Sequence, residues 1–448
     1  MQVYTRDQHN ISRKNISKNA LKVLYRLNKA GYQAYIVGGA VRDLLRQKTP
    51  KDFDVTTNAT PEQIKGLFKN CRLIGRRFRL AHIVYGREII EVATFRSQHD
   101  DSKHENTQIS AQSESGRLLR DNVYGTTIEE DAKRRDFTVN AMYYDVSDYT
   151  IKDYAGGVED LKKGILRLIG DPEKRYSEDP VRMLRAVRFA TKLKLQIEEK
   201  SAVAIPRLAH LLKEIPPARL YDESSKLFQS GHGKDTFMQM RCYGLFAPIF
   251  PHITQLIEEE ENSYTEQMIL KSLISTDKRI QSGKRINPAF IFAAMLWYPV
   301  KQTMEQLQKE HPLSDHDALL AASDKIIREQ VRTLAIPRRF TAIIREIWML
   351  QLRLPRRNGK RAFKLLELNK FRAAFDFLEM RAAIEKGEVK ELATWWQTFQ
   401  KKDAETRQFM IQNLNKPKVA KKSKRSKRAA AKKAAPQLKK AESVKDAE

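Results

Sequence analysis

Apolar positions divide this chain before anything else does. Leu21, Leu24 and Leu27 recur at near-helical spacing and stop before Gly31, so a helix closed by a glycine cap is expected there. Ala34–Val37 follows as an unbroken apolar run of strand length, ended by Gly38-Gly39. A short helix is expected over 40–46 and a strand rich in β-formers over 53–57. Thr60-Pro61-Glu62-Gln63 combines capping-box spacing with proline at the first helical position, which predicts a helix running to about Asn70. Residues 73–74, 78–85 and 88–95 read as successive strands, so the first 150 or so residues form a mixed α/β unit. From about Asp179 the period is helical almost throughout, as in VRMLRAVRFATKL, FIFAAMLWYPV and TAIIREIWMLQLRL. The fold class is therefore α+β, with a sheet-bearing head followed by a long all-α region. Two stretches break the pattern. QHDDSKHENTQISAQSESGR at 98–117 has the composition of a mobile insertion, and KKSKRSKRAAAKKAAPQLKK near the C-terminus has no apolar period and is expected to be a disordered basic tail.

Composition narrows the function classes. At 448 residues and 41% apolar, the chain can fill more than one core and suits roughly three domains. Cys71 and Cys242 cannot build a disulfide framework, which fits a reducing compartment and a cytoplasmic location. The opening MQVYTRDQHNISRKN lacks the apolar region of a signal peptide. The longest uncharged stretch, 286–300, is too short and proline-broken to span a bilayer, so no membrane segment is expected. With 83 Lys and Arg against 55 Asp and Glu, the net charge of +28 points to a polyanion, and nucleic acid is the default partner. Twelve basic residues and no acidic one lie between Lys416 and Lys440, yet most of the excess belongs to the rest of the chain.

The candidate chemistry lies in YIVGGAVRDLLRQKTPKDFD at 35–54. Alternation in a strand puts Asp52 and Asp54 on one face while Phe53 and Val55 face the core. Paired carboxylates repel unless a cation sits between them, and Mg²⁺ takes carboxylate oxygens while keeping water and phosphate ligands. Gly38 and Gly39 allow close backbone approach to phosphate oxygens, and Arg42 adds a charged clamp from the following helix. A lone D-x-D is usually a solvated acidic pair and a lone Gly-Gly usually a turn; the combination at this spacing points to phosphoryl chemistry.

These motifs resemble those of the class II nucleotidyltransferase family, which contains bacterial poly(A) polymerases and CCA-adding tRNA nucleotidyltransferases. RRDFTVNAMYY at 134–144, DYAGGVEDLKKGILRLIG at 153–170 and EDPVRMLRAVRFA at 178–190 extend the similarity, which covers about residues 20–400. The resemblance implies a metal-binding pair at Asp52 and Asp54 with two Mg²⁺, and a third catalytic carboxylate at Asp136. Glu91 in EIIEVATF is a rival for that third role, with an outward-facing strand residue as the alternative. It further implies nucleotide contacts from Gly38, Gly39, Arg42, Arg134, Arg135, Asn140, Asp179, Arg182 and Arg185, with Arg188 also in reach of a triphosphate. By spacing alone, Arg134 and Arg135 equally suit a solvated helix face, and Asp179 with Arg182 an i,i+3 salt bridge worth ~0.2–0.5 kcal/mol. As readers, a carboxylate accepts from an exocyclic amine while a guanidinium donates to the adjacent ring nitrogen. Adenine and cytosine both present that edge, so the pair explains A or C addition without a template and does not separate them.

Within the family, CRLIGRRFRLAHI at 71–83, with Arg76, Arg77, Phe78, Leu80 and His82, resembles the poly(A) polymerase branch, as does the run at 336–382. The implied activity is transfer of AMP from ATP to RNA 3′ ends with release of pyrophosphate, a tailing reaction that promotes RNA decay. CCA addition and a non-catalytic RNA-binding adaptor are the alternatives. The expected organisation is an N-terminal arm (1–19), a nucleotidyltransferase head (20–170), a helical neck (171–270), a helical C-terminal RNA-binding region (271–413) and a basic tail (414–448) that contacts RNA or RNA-decay proteins.

Overall fold

The computed structural model describes residues 1–75, 79–96, 124 and 127–415. The expected insertion at 98–117, the basic run from Lys416, and Arg76, Arg77 and Phe78 lie outside the described residues. Eight strands build one mixed sheet: β1 (Gln2–Tyr4), β2 (Ala34–Val37), β3 (Asp54–Thr57), β4 (Cys71–Ile74), β5 (Leu80–Tyr85), β6 (Glu88–Thr94), β7 (Met142–Asp145) and β8 (Ile151–Asp153). Their order across the sheet is β1-β8-β7-β2-β3-β6-β5-β4. Within this sheet, among the described residues, β3 and β6 are the one parallel pair.

Strand alternation decides which face each side chain takes. Val55, Ala81, Ile83, Ile90 and Val92 enter one core. That core also takes Val23, Leu24 and Leu27 of α1 (Lys18–Lys29), Ala40, Val41 and Leu44 of α2 (Gly39–Leu45), and Ile64 of α3 (Pro61–Leu67). Asp54, Arg72, His82 and Glu91 therefore occupy the opposite face. There, α4 (Ile128–Arg134) covers only the β2–β7 half, where Ile128 and Ala132 pack on Tyr35, Val37 and Tyr143. Among the described residues of the half formed by β3, β6, β5 and β4, Asp54, Glu91 and Arg72 stand exposed on this face, while Thr56 of β3 is buried.

Residues before α1 join this head: β1 pairs with β8, and Ile11 and Ile16 are buried in its core. α3 ends at Leu67, short of the expected Asn70, because 71–74 is drawn into the sheet beside β5. After β8 the Asp153 carboxylate accepts backbone N–H groups from Ala155, Gly156, Gly157 and Val158, which starts α5 (Gly157–Lys163). α6 (Pro172–Glu178) and α7 (Val181–Leu193) then lead into the helical region. One apolar cluster runs from Phe137 through Met183, Leu184 and Val187 to Ile384, and so spans both the expected neck and part of the C-terminal region. A smaller cluster extends from Leu350 to Ile411. The α+β class, a sheet head followed by helices, is the observed architecture. Among the described residues no helix is long and apolar enough to cross a membrane.

Candidate active site

Gly38 ends β2 and opens α2 with φ of 72°, a conformation in which any Cβ is strained. One strand over, Val37 is registered against Asp54, and Asp54 against Glu91. Asp52 and Asp54 are exposed whereas Phe53 and Val55 are buried, so the expected common face holds although β3 begins only at Asp54. The Glu91 side chain is 47% exposed. His82 is registered against Glu91 on β5, with Nε2 3.6 Å from the carboxylate. Asp54 stays open to solvent, yet the surrounding protein limits its hydration and raises its carboxyl pKa; Glu91 adds to that rise, Arg135 opposes it and Asp52 adds a little more. This strand end therefore carries concentrated, incompletely neutralised negative charge.

Asp136 does not stand free beside that pair. Its Oδ1 accepts the Phe137 N–H at 2.8 Å and Asn140 Nδ2 at 3.3 Å, while its Oδ2 accepts Arg185 Nε at 2.8 Å and Nη2 at 2.5 Å. Burial alone would raise its pKa; the Arg185 charge and these hydrogen bonds outweigh burial and hold it below the usual carboxylate range. Asn140 Oδ1 in turn accepts Arg42 Nη1 at 2.6 Å, and Arg42 also pairs with Asp43 at 2.8 Å. Arg135 donates to Asp131, to the Tyr143 hydroxyl and to the Asn140 carbonyl. Arg134 is half-buried, and its carbonyl and that of Arg135 accept Arg175 Nη2 at 2.9 and 2.7 Å. The 134–140 turn is thus tied to α2, α6 and α7. It also requires Gly157, since a Cβ there would stand 2.2 Å from the Thr138 carbonyl oxygen.

Asp179 and Arg182 do not pair with each other. Asp179 Oδ2 accepts Arg219 Nη2 at 2.7 Å from the helix Pro217–Phe228, and Oδ1 accepts the Val181 N–H at 3.3 Å. Arg182 Nη1 donates to the Arg175 carbonyl at 2.6 Å and to Glu178 at 3.3 Å. Along α7, Arg185 and Arg188 stand on successive turns, and with Arg42 they surround the half-buried Phe189 ring at 5.3, 4.5 and 5.7 Å. Burial, then the neighbouring Arg185, lowers the Arg188 pKa, and its buried Nε has no hydrogen-bond partner among the described residues. Clustered guanidinium groups with donors to spare suit a polyphosphate. Arg219 is the residue that sequence reasoning missed: it lies 40 positions beyond Asp179, and nothing in PPARLYDESS marks it.

Comparison with known proteins follows the same organisation. Residues 34–167 match the family profile described as "Poly A polymerase head domain", 194–257 that of the "Probable RNA and SrmB- binding site of polymerase A", and 311–431 that of the "Polymerase A arginine-rich C-terminus". Poly(A) polymerase I of Salmonella typhimurium is 56% identical over 93% of this chain and 89% of its own length. The CCA-adding enzyme of Lactobacillus helveticus is 40% identical over only 49% of this chain and 51% of its own. Among solved structures, the Bacillus stearothermophilus CCA-adding enzyme in complex with CTP shares the fold, with a TM-score of 0.55 at 24% identity over 85% of this chain and 80% of that one. The sequence likeness to the CCA-adding enzyme covers about half of this chain, whereas the poly(A) polymerase likeness covers 93% of it and includes a match at 311–431, and this chain belongs to the poly(A) polymerase I family of nucleotidyltransferases.

Proposed function

We propose that the chain adds AMP from ATP to RNA 3′ ends with Asp52, Asp54 and Glu91 as the carboxylates at the reacting atoms, and with Asp136 positioning Arg185. The observation that carries this assignment is the registration of Asp54 against Glu91 on adjacent parallel strands, while every acceptor direction of Asp136 is already taken. In this reading Asp136 supports the site by holding Arg185 beside Arg42 and Arg188. Among the described residues no three His, Cys, Asp or Glu side chains form a ready-made metal cage. The donor set nonetheless fits Mg²⁺: it offers hard oxygen ligands open to solvent, and Mg²⁺ takes one or two carboxylates and completes its shell with water and substrate phosphates. Bound there by Asp52 and Asp54, it would supply charge stabilisation to the attacking and leaving oxygens.

The reaction joins the RNA 3′-oxygen to the α-phosphorus of ATP and breaks the bond to the bridging oxygen, so pyrophosphate leaves. Glu91 orients the attacking hydroxyl and accepts its proton, while Arg42, Arg185 and Arg188 bind the triphosphate, with Gly38, Gly39, Arg134 and Arg135 around it. Asn140 fixes Arg42. For the base, Arg182 donates to a ring nitrogen, and Asp179, tied to Arg219, accepts the exocyclic amine in a direction its partner leaves open. The basic residues beyond Lys416 contact RNA or RNA-decay proteins. The two free cysteines suit a cytoplasmic setting.

Purified protein given labelled ATP or CTP with an RNA primer tests the reading. Long A tails that vanish in Asp54→Ala support it; terminal CCA addition, or no incorporation by the parent, overturns it.

A further inference from the structure

We propose that the outer face of the head sheet, from Glu91 across His82 to Arg72, is the track on which the last nucleotides of the RNA primer lie, with Arg72 holding a backbone phosphate behind the reacting 3′-hydroxyl. The inference rests on the assignment of Asp54 and Glu91 to the reacting atoms. Cross-strand register places four side chains in one row: Asp54 opposite Glu91, Glu91 opposite His82, and His82 opposite Arg72. Their chain neighbours Val55, Val92, Ala81, Ile83 and Cys71 are buried in the core beneath. All four therefore share the opposite face, on which Asp54, Glu91 and Arg72 are exposed and His82 is half-buried.

The row changes sign along its length, from two carboxylates through a histidine to an arginine. Arg72 is exposed and makes no ion pair among the described residues. At ~4.8 Å per strand, three spacings put Arg72 ~14 Å from Asp54, more than one nucleotide and within reach of the primer's last few. Beside the row lies an apolar strip: Ile89, 45% exposed, is registered against Val84. An exposed isoleucine two positions from a carboxylate offers a surface for a base, as sequence-independent primer binding needs.

Reaction geometry chooses the side. β2 flanks β3 on one edge and leads to Gly38 and Arg42, where the triphosphate is assigned; β6, β5 and β4 flank it on the other. In-line displacement requires attacking and leaving oxygens on opposite sides of phosphorus. With pyrophosphate on the Arg42 side, the hydroxyl arrives from the β6 side, and the strand behind it runs over His82 towards Arg72.

Arg72→Gln tests this with oligo(A) primers at several salt concentrations. The primer KM is expected to rise about fivefold to tenfold at low salt, with the saturated rate and ATP KM within about twofold of the parent. Its log–log salt slope should be shallower by ~0.7, the value of one single-strand phosphate contact. A methylphosphonate at one of the last few linkages should weaken the parent equally and add nothing in Arg72→Gln. Lys29→Gln, on α1 across the sheet, separates a local contact from a change in net charge. An unchanged primer KM and slope in Arg72→Gln, equal losses in Lys29→Gln, or methylphosphonate penalties that persist at every linkage would overturn the track. The carboxylate assignment fails separately, if Asp54→Ala still incorporates AMP at the parent rate.

Discussion

Glu91→Gln and Asp136→Asn should fail in opposite ways, because the two carboxyl groups are built into the protein differently. Asp136 is 13% exposed and makes a bidentate pair with Arg185, which is 32% exposed. Breaking a fully buried pair costs about 3–5 kcal/mol; the partial exposure of Arg185 screens this to about 2–3 kcal/mol. Glu91 is 47% exposed, so removing its charge should change stability by no more than about 0.5 kcal/mol. At the reacting atoms the ranking reverses. Loss of one group that stabilises developing charge lowers the rate ~10²–10³-fold. Urea denaturation and single-turnover AMP incorporation at saturating ATP and primer measure the two effects. Asp136→Asn should unfold at lower urea, and Glu91→Gln should keep the parent midpoint with a rate at least a hundredfold down. A Glu91→Gln rate within threefold of the parent would refute the assignment, and so would an Asp136→Asn protein as stable as the parent. Acid supplies a further check. The folded pKa of Asp136 is lowered, so its contribution is complete above the ordinary aspartate pKa of ~3.9 and is lost as pH falls through the lowered value. The stability gap between parent and Asp136→Asn should hold from neutral pH down to that range and close below it.

Three further outcomes follow from the same contacts. Gly157→Ala should lose about 2–3 kcal/mol and raise the ATP KM, because relief of the 2.2 Å clash with the Thr138 carbonyl oxygen displaces the turn that carries Asn140; thermal unfolding and steady-state kinetics read both effects. Arg219→Gln should lower the ATP-to-CTP incorporation ratio about tenfold in direct competition, since the Asp179 carboxylate is then free to turn, and an unchanged ratio would make their contact purely structural. A chain ending at Asn415 should keep its saturated single-turnover rate yet bind primer more weakly, with a salt slope reduced by ~0.7 for each phosphate that the basic run neutralises in the full chain; filter binding across a salt series would show it.

What the sequence disclosed was local periodicity and local chemistry. Ala34–Val37 has the bounds its apolar run implies, and the burial alternation around Asp52 and Asp54 follows from period two alone. β1 was not foreseen, because a three-residue edge strand with two exposed positions has no pattern of its own and is fixed by pairing with β8. Asp136 and Glu91 show the same limit at the site. Both are carboxylates in plausible positions, and only folding brings Arg185, 49 residues away, onto one and leaves the other facing Asp54. Asp179 and Arg182, three apart on a helical pattern, suit a salt bridge with each other by spacing, yet Asp179 pairs with Arg219, 40 positions on, and Arg182 with Glu178, four positions before it.

On the proposed assignment of Asp179 and Arg182 as base readers, contacts from the helical region commit the nucleotidyltransferase head to one nucleotide. These two proposed readers follow the head sheet in sequence, and their side chains are held from two sides. Arg175 binds the carbonyls of Arg134 and Arg135 in the head and offers its own carbonyl to Arg182, while Arg219 reaches Asp179 from the helix Pro217–Phe228. An Asp–Arg pair free to adjust would accept adenine or cytosine, since both present an amine beside a ring acceptor. In that reading, fixing each member by a separate partner removes that freedom and places the discrimination in the spacing between the head and the helical region as much as in the two reading residues. Substitutions in the helix Pro217–Phe228 that shift Arg219 should therefore alter nucleotide choice without touching a carboxylate at the reacting atoms.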